Sequence, residues 1–380
     1  MIDKPKSYFP LKLILITSYL FSVVILCGCD NKNSKKDHSD KDEKQTLKKD
    51  SALVDTDSLY SIIMVGDVMM GTNYPSEYSL PPNDGEDILE GPSEFLQIAD
   101  VTIGNLEGTL LDKGGTPKEC LNPENCAAFR MPEHYAEYLK NSGFDIMSVA
   151  NNHSGDMGDI GRKSTVKTLE RYEIKYAGYV TCPVTIFLKD GVKFGFTAFA
   201  PNTGTQNIND LSSARKTIKD LKGKCDIVIV AFHGGAEGSG ALRVTRNREY
   251  YLGEDRGNIY DFAHAMIDAG SDIVFGQGPH VPRAIELYND RIIAYSLGNF
   301  CTYGKFGLSG NLGLAPILKI YINQKGEFQG GRIYPFRQIK RGIPVFDDDY
   351  EAVSLIKHLS ESDFPESKLV IQSDGKLIAR

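Results

Sequence analysis

From Tyr60 onward, short runs of aliphatic and β-branched residues alternate with stretches whose apolar positions recur at helical spacing. That alternation is the pattern of an α/β fold. The apolar runs SIIMV (61–65), VTI (101–103), DIMSV (145–149), FGFTAF (194–199), DIVIVAF (226–232) and DIVF (272–275) read as strands. Residues 284–296, AIELYNDRIIAYS, read as a hairpin turning at Asn289-Asp290. Helical periodicity covers 132–142, 161–172 and 257–269, with Pro132 near one start and Gly143 and Gly270 as stops. There is no internal repeat. Residues 333–350 look irregular, and the tail from Glu351 carries one helix-like stretch, EAVSLIKHL.

The N-terminus follows another pattern. A basic start, MIDKPKSYFPLK, precedes an apolar run from Leu13 to Leu26 that is short for a membrane span. The run ends in Leu26-Cys27-Gly28-Cys29, which resembles a lipobox with cleavage before Cys29 and acylation of its sulfur; the alternative is an uncleaved signal anchor. Residues 29–57 hold almost no large apolar side chains and read as a disordered tether, with a mean reach of about 30 Å. The expected organisation is a signal peptide (1–28), the tether (29–57), one domain (58–350) and a C-terminal extension (351–380). Such a lipoprotein sits in the cell envelope, outside the cytoplasm, anchored to a membrane by lipid.

A formal net charge of -7 offers no basic footprint for nucleic acid. Of the seven cysteines, none outside the lipobox forms a CxxC pair, which argues against a thiolate zinc site. Cys120 and Cys126 flank the polar loop LNPEN and are expected to form a local disulfide in an oxidising envelope. Cys225 begins an apolar strand and reads as a buried thiol.

The strand ends carry the chemistry. After SIIMV comes GDVMMG with Asp67; after VTI, GNLEG with Glu107; after DIMSV, ANNHSGD with Asn152, His153 and Asp156. DIVIVAF runs into HGGAE with His233 and Glu237, DIVF into GQGPH with Gln277 and His280, and the hairpin into SLGNF with Asn299. Taken singly, Asp67 reads as a helix cap and a strand-end histidine as a core residue. Ligands of open α/β sheets bind at the carboxyl ends of strands, so the recurrence of polar groups beside glycines there points to a site. Oxygen and imidazole donors without thiolate suit manganese, zinc, iron or magnesium, as one or two ions. Two ions sharing a carboxylate would clamp a phosphate, and a neighbouring imidazole would protonate the leaving oxygen.

VGDVMMG, ADVTIGNLEGTL, GFDIMSVANNHSGDMGDIG, FHGGAE and GPHV…IAYSLGNF occur in the order of the CapA family of poly-γ-glutamate capsule synthesis proteins, which this chain resembles over about residues 60–345. The resemblance implies a calcineurin-like metallophosphoesterase fold, a four-layer αββα sandwich around a dinuclear metal site. It implies metal ligation by Asp67, Glu107, Asn152, His233 and His280, and a leaving-group role for His153 with Asp156 orienting it. One metal position would take Asp67, Glu107 and His280; the other Glu107, Asn152, His233 and Gln277. Met69 stands where phosphoesterases usually carry a histidine, and Gln277 stands where many CapA-like chains have the first histidine of the last motif. A glutamine carbonyl is a weaker ligand than imidazole, so the second position is expected to be weak.

The segment ALRVTRNREYYLGEDRG (241–257) holds Arg243, Arg246, Arg248 and Arg256. These arginines and Asn299 are candidates for binding an anionic polymer or a phosphate; the alternative is a solvated loop with its arginines paired to Glu249, Glu254 and Asp255. The expected partners are the membrane, an anionic envelope polymer and a membrane-bound polymer synthase. Three functional readings stand: a metal-dependent hydrolase acting on an envelope polymer, a non-catalytic accessory protein that binds polymer or synthase, and a general nucleotidase or phosphodiesterase.

Overall fold

The computed structural model describes residues 59–119 and 127–380. The leader, Cys29, the tether and the Cys120–Cys126 pair lie outside the described residues.

Two sheets face each other. The first runs, edge to edge, Leu369–Ile371, Lys376–Ala379, Phe328–Tyr334, Ile317–Ile322, Tyr60–Met69, Val101–Leu106, Ile146–Ser148 and Lys175–Ala177, with Asn299–Thr302 also paired to Tyr60–Met69. The second runs Ile285–Tyr288, Arg291–Ala294, Ile273–Gln277, Ile227–His233, Val192–Phe199 and Val184–Lys189. Tyr60–Met69, Val101–Leu106 and Ile146–Ser148 are parallel, as are Val192–Phe199, Ile227–His233 and Ile273–Gln277. Parallel strands deliver their carboxyl ends to one edge, and this is how distant sequence motifs come together.

The period-2 alternation of each strand divides its apolar side chains between two interfaces. Ile62, Met64 and Ile103 of the first sheet pack against Phe196, Ile229 and Phe275 of the second. The alternate residues Ile63 and Val65 turn outward onto Phe95, Leu139 and Leu169, from helices Glu90–Leu96, Tyr135–Asn141 and Gly158–Arg171. Val228, Val230 and Phe232 turn outward onto Ile218, Phe262 and Met266, from helices Leu211–Lys222 and Ile259–Ala269. The architecture is the expected four-layer αββα sandwich. Both faces of the central strands are covered, which is why they read as unbroken apolar runs.

The expected turns are present for conformational reasons. Gly143 and Gly270 end their helices with positive φ, and Asn289 and Asp290 both adopt the left-handed conformation a tight hairpin needs. Two expectations need correction. Residues 333–350 are regular, containing the antiparallel ribbon of Phe336–Ile339 and Ile343–Phe346. Residues 351–380 are built into the sandwich rather than appended to it: helix Glu351–Asp363 puts Val353 and Ile356 into the cluster between the sheets, and Lys376–Ala379 pairs with Phe328–Tyr334. Among the described residues, no helix is long and apolar enough to cross a membrane. Cys225 and Cys301 are buried free thiols, and Cys182 is free and half-buried.

Candidate metal centre

Asp67 sits where the pairing of Tyr60–Met69 breaks register on both sides, at the residues opposite Asn105 and Asn299. Bulges of this kind re-aim a side chain at a functional site. Gly66 makes the bulge feasible, since a Cβ there would lie 1.9 Å from the Gly298 carbonyl oxygen. The Asp67 backbone N–H donates to that same oxygen at 2.9 Å. Asp67 is completely buried.

Asn105 holds two carboxylates side by side. Its Nδ2 donates to Asp67 Oδ1 at 2.8 Å and to Glu107 Oε2 at 2.6 Å. Its Oδ1 accepts from Asn151 Nδ2 at 3.1 Å, and Asn151 Oδ1 in turn accepts from the His153 backbone N–H at 3.0 Å. Asn151 is thus a scaffold residue. Asn152 Oδ1 is buried without a hydrogen-bond partner.

Glu107 Oε1 lies 3.3 Å from His233 Nε2, and both side chains are fully buried. Neither that oxygen nor either ring nitrogen of His233 has a hydrogen-bond partner, and Gln277 Oε1 is in the same condition. Buried polar groups are otherwise almost always paired, so the facing orphans Glu107 Oε1 and His233 Nε2 mark a ligand position. Asp67, His233 and His280 each offer a ligand atom, all within 4.8 Å of one another. The donor set, oxygen and imidazole, fits a hard or borderline divalent cation.

His280 adopts a positive φ of 59°, which swings its ring back over Asp67. Its Nδ1 lies 2.9 Å from Asp67 Oδ2 and 3.0 Å from Asn299 Oδ1. A carboxylate on one ring nitrogen of a histidine orients the other toward a metal. Asn299 is fully buried, and its Nδ2 donates to the Leu312 carbonyl at 3.1 Å. Both ends of its amide are therefore engaged. It fixes His280 rather than presenting a free group to substrate, which corrects its expected role.

His153 lines the other wall. Its Nδ1 is 2.7 Å from Asp156 Oδ2, and its ring stacks on Phe129 with centroids 4.1 Å apart. Asp156 Oδ2 also accepts from the Phe129 N–H at 2.6 Å, while its Oδ1 pairs with Lys118 Nζ at 2.7 Å. Phe306 spans from Phe129 to His280, with centroids 5.3 and 5.1 Å away, and gives the cleft an apolar side.

The charges are strongly coupled. Burial, followed by the neighbouring Glu107, pushes the Asp67 carboxyl up from its ordinary value. Burial opposes ionisation of Glu107 as well, yet His233 beside it, together with His153 and His280, holds its carboxyl below the usual range. Burial would depress His280, but the hydrogen bond and charge of Asp67 prevail and raise it to about 9.

Asp67, Glu107, His233 and His280 come together, in pairs that fall within the two expected positions. Glu107 pairs with His233, whereas Asp67 pairs with His280. Three of the four expected substrate arginines are committed elsewhere. Arg243 pairs with Asp363, Arg246 with Glu366 and Arg248 with Asp255, so these side chains tie the 241–257 segment to the C-terminal region and to itself. The pairing of Arg248 with Asp255 was foreseeable locally, as was that of Arg256 with Glu254 at 3.5 Å. Arg256 leads back to the cleft, being almost fully buried and 2.8 Å from Glu237 Oε1. Asn105 lies in the GNLEG motif but is not among the residues singled out there, and Lys118 lies outside the strand-end motifs. The two-residue step from Asn105 to Glu107 in GNLEG, which puts both on one face of an extended chain, was the available signal for the first.

A sequence model of the family described as bacterial capsule synthesis protein PGA_cap matches residues 61–303. The chain belongs to that family. The matched span contains every residue of the cleft described above except Phe306. A capsule biosynthesis protein CapA of Bacillus anthracis is 29% identical over 261 residues, covering 63% of this chain and 59% of the relative. A PGA biosynthesis protein CapA of Bacillus subtilis (strain 168) is 28% identical, covering 64% of each. The PGA_cap chain thus spans less than two thirds of the length of these relatives. Among solved structures, a hypothetical protein of Thermus thermophilus is similar with a TM-score of 0.45 and 14% identity, over 73% of this chain and 99% of the other. A likeness that distant carries no argument about the site.

Proposed function

We propose that this PGA_cap protein acts in the biosynthesis or export of an anionic envelope polymer of the poly-γ-glutamate type, as a metal-dependent hydrolase. Family membership and the capsule-related names of its relatives support the biological setting. The observation that carries the chemistry is the set of orphaned, buried ligand atoms on Glu107, His233, Asn152 and Gln277. The chemistry a divalent ion supplies there when bound is polarisation of a phosphoryl or carbonyl oxygen and acidification of water at neutral pH. Asp67, Glu107, Asn152, His233, Gln277 and His280 would hold it. His153, oriented by Asp156, donates a proton to the leaving group. Phe129 and Phe306 narrow the water-accessible side. In this reading the chain is an envelope lipoprotein held at Cys29, and the polymer and a membrane-bound synthase are its partners.

A second reading has one specific support. Gln277 contributes a neutral amide oxygen where imidazole would bind more tightly, which fits an accessory protein whose cleft binds polymer or synthase without turnover.

The test is metal analysis of the purified full-length chain after manganese and zinc loading, with a screen of phosphomonoester, phosphodiester and γ-glutamyl substrates. Hydrolysis that disappears in His153→Gln, with metal content retained, supports the enzyme; the expected loss is about 10²–10⁴-fold. A chain that retains less than about a tenth of an equivalent of either metal is not a metallohydrolase.

A further inference from the structure

We propose that Glu237 is a further ligand of the cleft, placed to hold a divalent cation together with His280. This rests on the metal reading above and adds to it a carboxylate from the loop after His233.

The loop is built to aim this side chain. The Gly234 N–H donates to the Gln277 backbone carbonyl at 2.9 Å and the Gly238 N–H to the Pro279 carbonyl at 3.0 Å, so the segment is laced along the Gln277–His280 turn. Close approach is possible because Gly278 has no side chain; a Cβ there would stand 2.8 Å from the backbone of Gly234. Between these anchors the Ala236 N–H donates to Glu249 Oε2 at 2.8 Å, and Glu249 is locked by Arg283 through two contacts of 2.9 Å.

Glu237 itself is 12% exposed at its side chain, and its oxygens have different surroundings. Oε1 forms an ion pair with Arg256 at 2.8 Å but has no hydrogen-bond partner. Oε2 faces His280 Nε2 at 3.6 Å. That is too long for a hydrogen bond. Two ligands about 2.1 Å from one ion at a tetrahedral angle stand roughly 3.4 Å apart, close to this separation. Asp67 occupies the other nitrogen of the ring, so Nε2 is the atom left to coordinate.

The added carboxylate changes the class of ion expected. With Asp67, Glu107, Glu237 and the amide oxygens of Asn152 and Gln277 against two imidazoles, the donor set favours oxygen-preferring cations such as Mn²⁺ over what a histidine-rich cleft would select.

The experiment is titration calorimetry of Mn²⁺ and Zn²⁺ into the purified full-length chain, with the Mn²⁺ paramagnetic resonance spectrum as a second readout. Wild type, Glu237→Gln, Glu237→Asp and Asp67→Ala are compared, and folding of each metal-free variant is checked by its melting curve. Glu237→Gln should weaken Mn²⁺ at least tenfold, weaken Zn²⁺ less and alter the Mn²⁺ spectrum. Glu237→Asp, which keeps the charge on a shorter side chain, should fall between. Wild-type Mn²⁺ affinity and spectrum in both Glu237 variants, with Asp67→Ala unable to bind, would overturn the Glu237 assignment and leave the metal reading standing. Failure of wild type to bind either ion overturns both.

Discussion

Gln277 lies directly beside His233 across the parallel strands that end at the cleft, and the Gln277 side-chain oxygen and both His233 ring nitrogens lack hydrogen-bond partners. Two adjacent side chains aimed into one space act on the same ligand. Replacing the weaker donor should therefore strengthen that position. Gln277→His is expected to tighten divalent cation binding and to raise the stoichiometry toward two ions, read by calorimetry. Unchanged binding would show that residue 277 does not contact an ion.

The Asn105 amide is the neutral spacer between two buried carboxylates, 2.8 Å from Asp67 and 2.6 Å from Glu107. Asn105→Ala removes both hydrogen bonds. Metal-free stability should fall by about 2 kcal/mol, measured by urea denaturation. Metal affinity should fall about 10–100-fold, as for other residues that orient ligands. A stability loss with unchanged affinity would mean that the ligands do not need this spacer.

The titrating groups set the sign of the pH dependence. His280 is raised from 6.5 to about 9, so the folded metal-free protein holds a proton that the unfolded chain releases. This contribution is fully present below about pH 6.5 and is lost as pH rises through about 9. Asp67, also raised, acts in the same direction. Glu107 is lowered, so its contribution is present above the ordinary glutamate value and is lost in strong acid. The metal-free protein should be most stable in mildly acid solution, and metal affinity should climb between about pH 6.5 and 9 as His280 gives up its proton. Denaturation midpoints and calorimetric titrations across that range check both trends; an affinity flat with pH would show that His280 is not a ligand.

Arg283 is fully buried and grips Glu249 with both ends of its guanidinium, 2.9 Å to each carboxylate oxygen. Arg283→Met strands the Glu249 charge and should cost about 3–5 kcal/mol, whereas the double variant Arg283→Met/Glu249→Leu should recover much of that loss. Urea denaturation of the pair gives the comparison. Because Glu249 also fixes Ala236, cation binding should weaken in the single variant even where it remains folded.

Much of the scaffold was legible because its signals are local. DIVIVAF and DIVF are strands buried on both faces, and a continuous apolar run reports that directly. Gly143 and Gly270 stop helices at positive φ, which needs no knowledge of the neighbours. Helix Leu211–Lys222 and the ribbon at 336–346 were not legible. The first has only three buried positions in a largely polar stretch, and the second depends on its cross-strand partner. Among the site residues, the arginines show the limit most clearly. Arg243 and Arg246 find Asp363 and Glu366 more than a hundred residues away, a pairing no local pattern announces.

The sequence by itself determined which residues end the strands: Asp67, Glu107, Asn152, His153, His233, Gln277 and His280 each follow an apolar run or a glycine turn. Only the tertiary structure decided who faces whom. It put Asp67 on His280 across two sheets, gave Glu107 to His233, set Asn105 between the carboxylates and brought Glu237 to the open nitrogen of His280. Those pairings follow from strand order, from the bulge at Asp67 and from glycines that let backbones touch. All of these are properties of contacts between segments far apart in the chain, and they cost no local propensity that a sequence pattern could reveal.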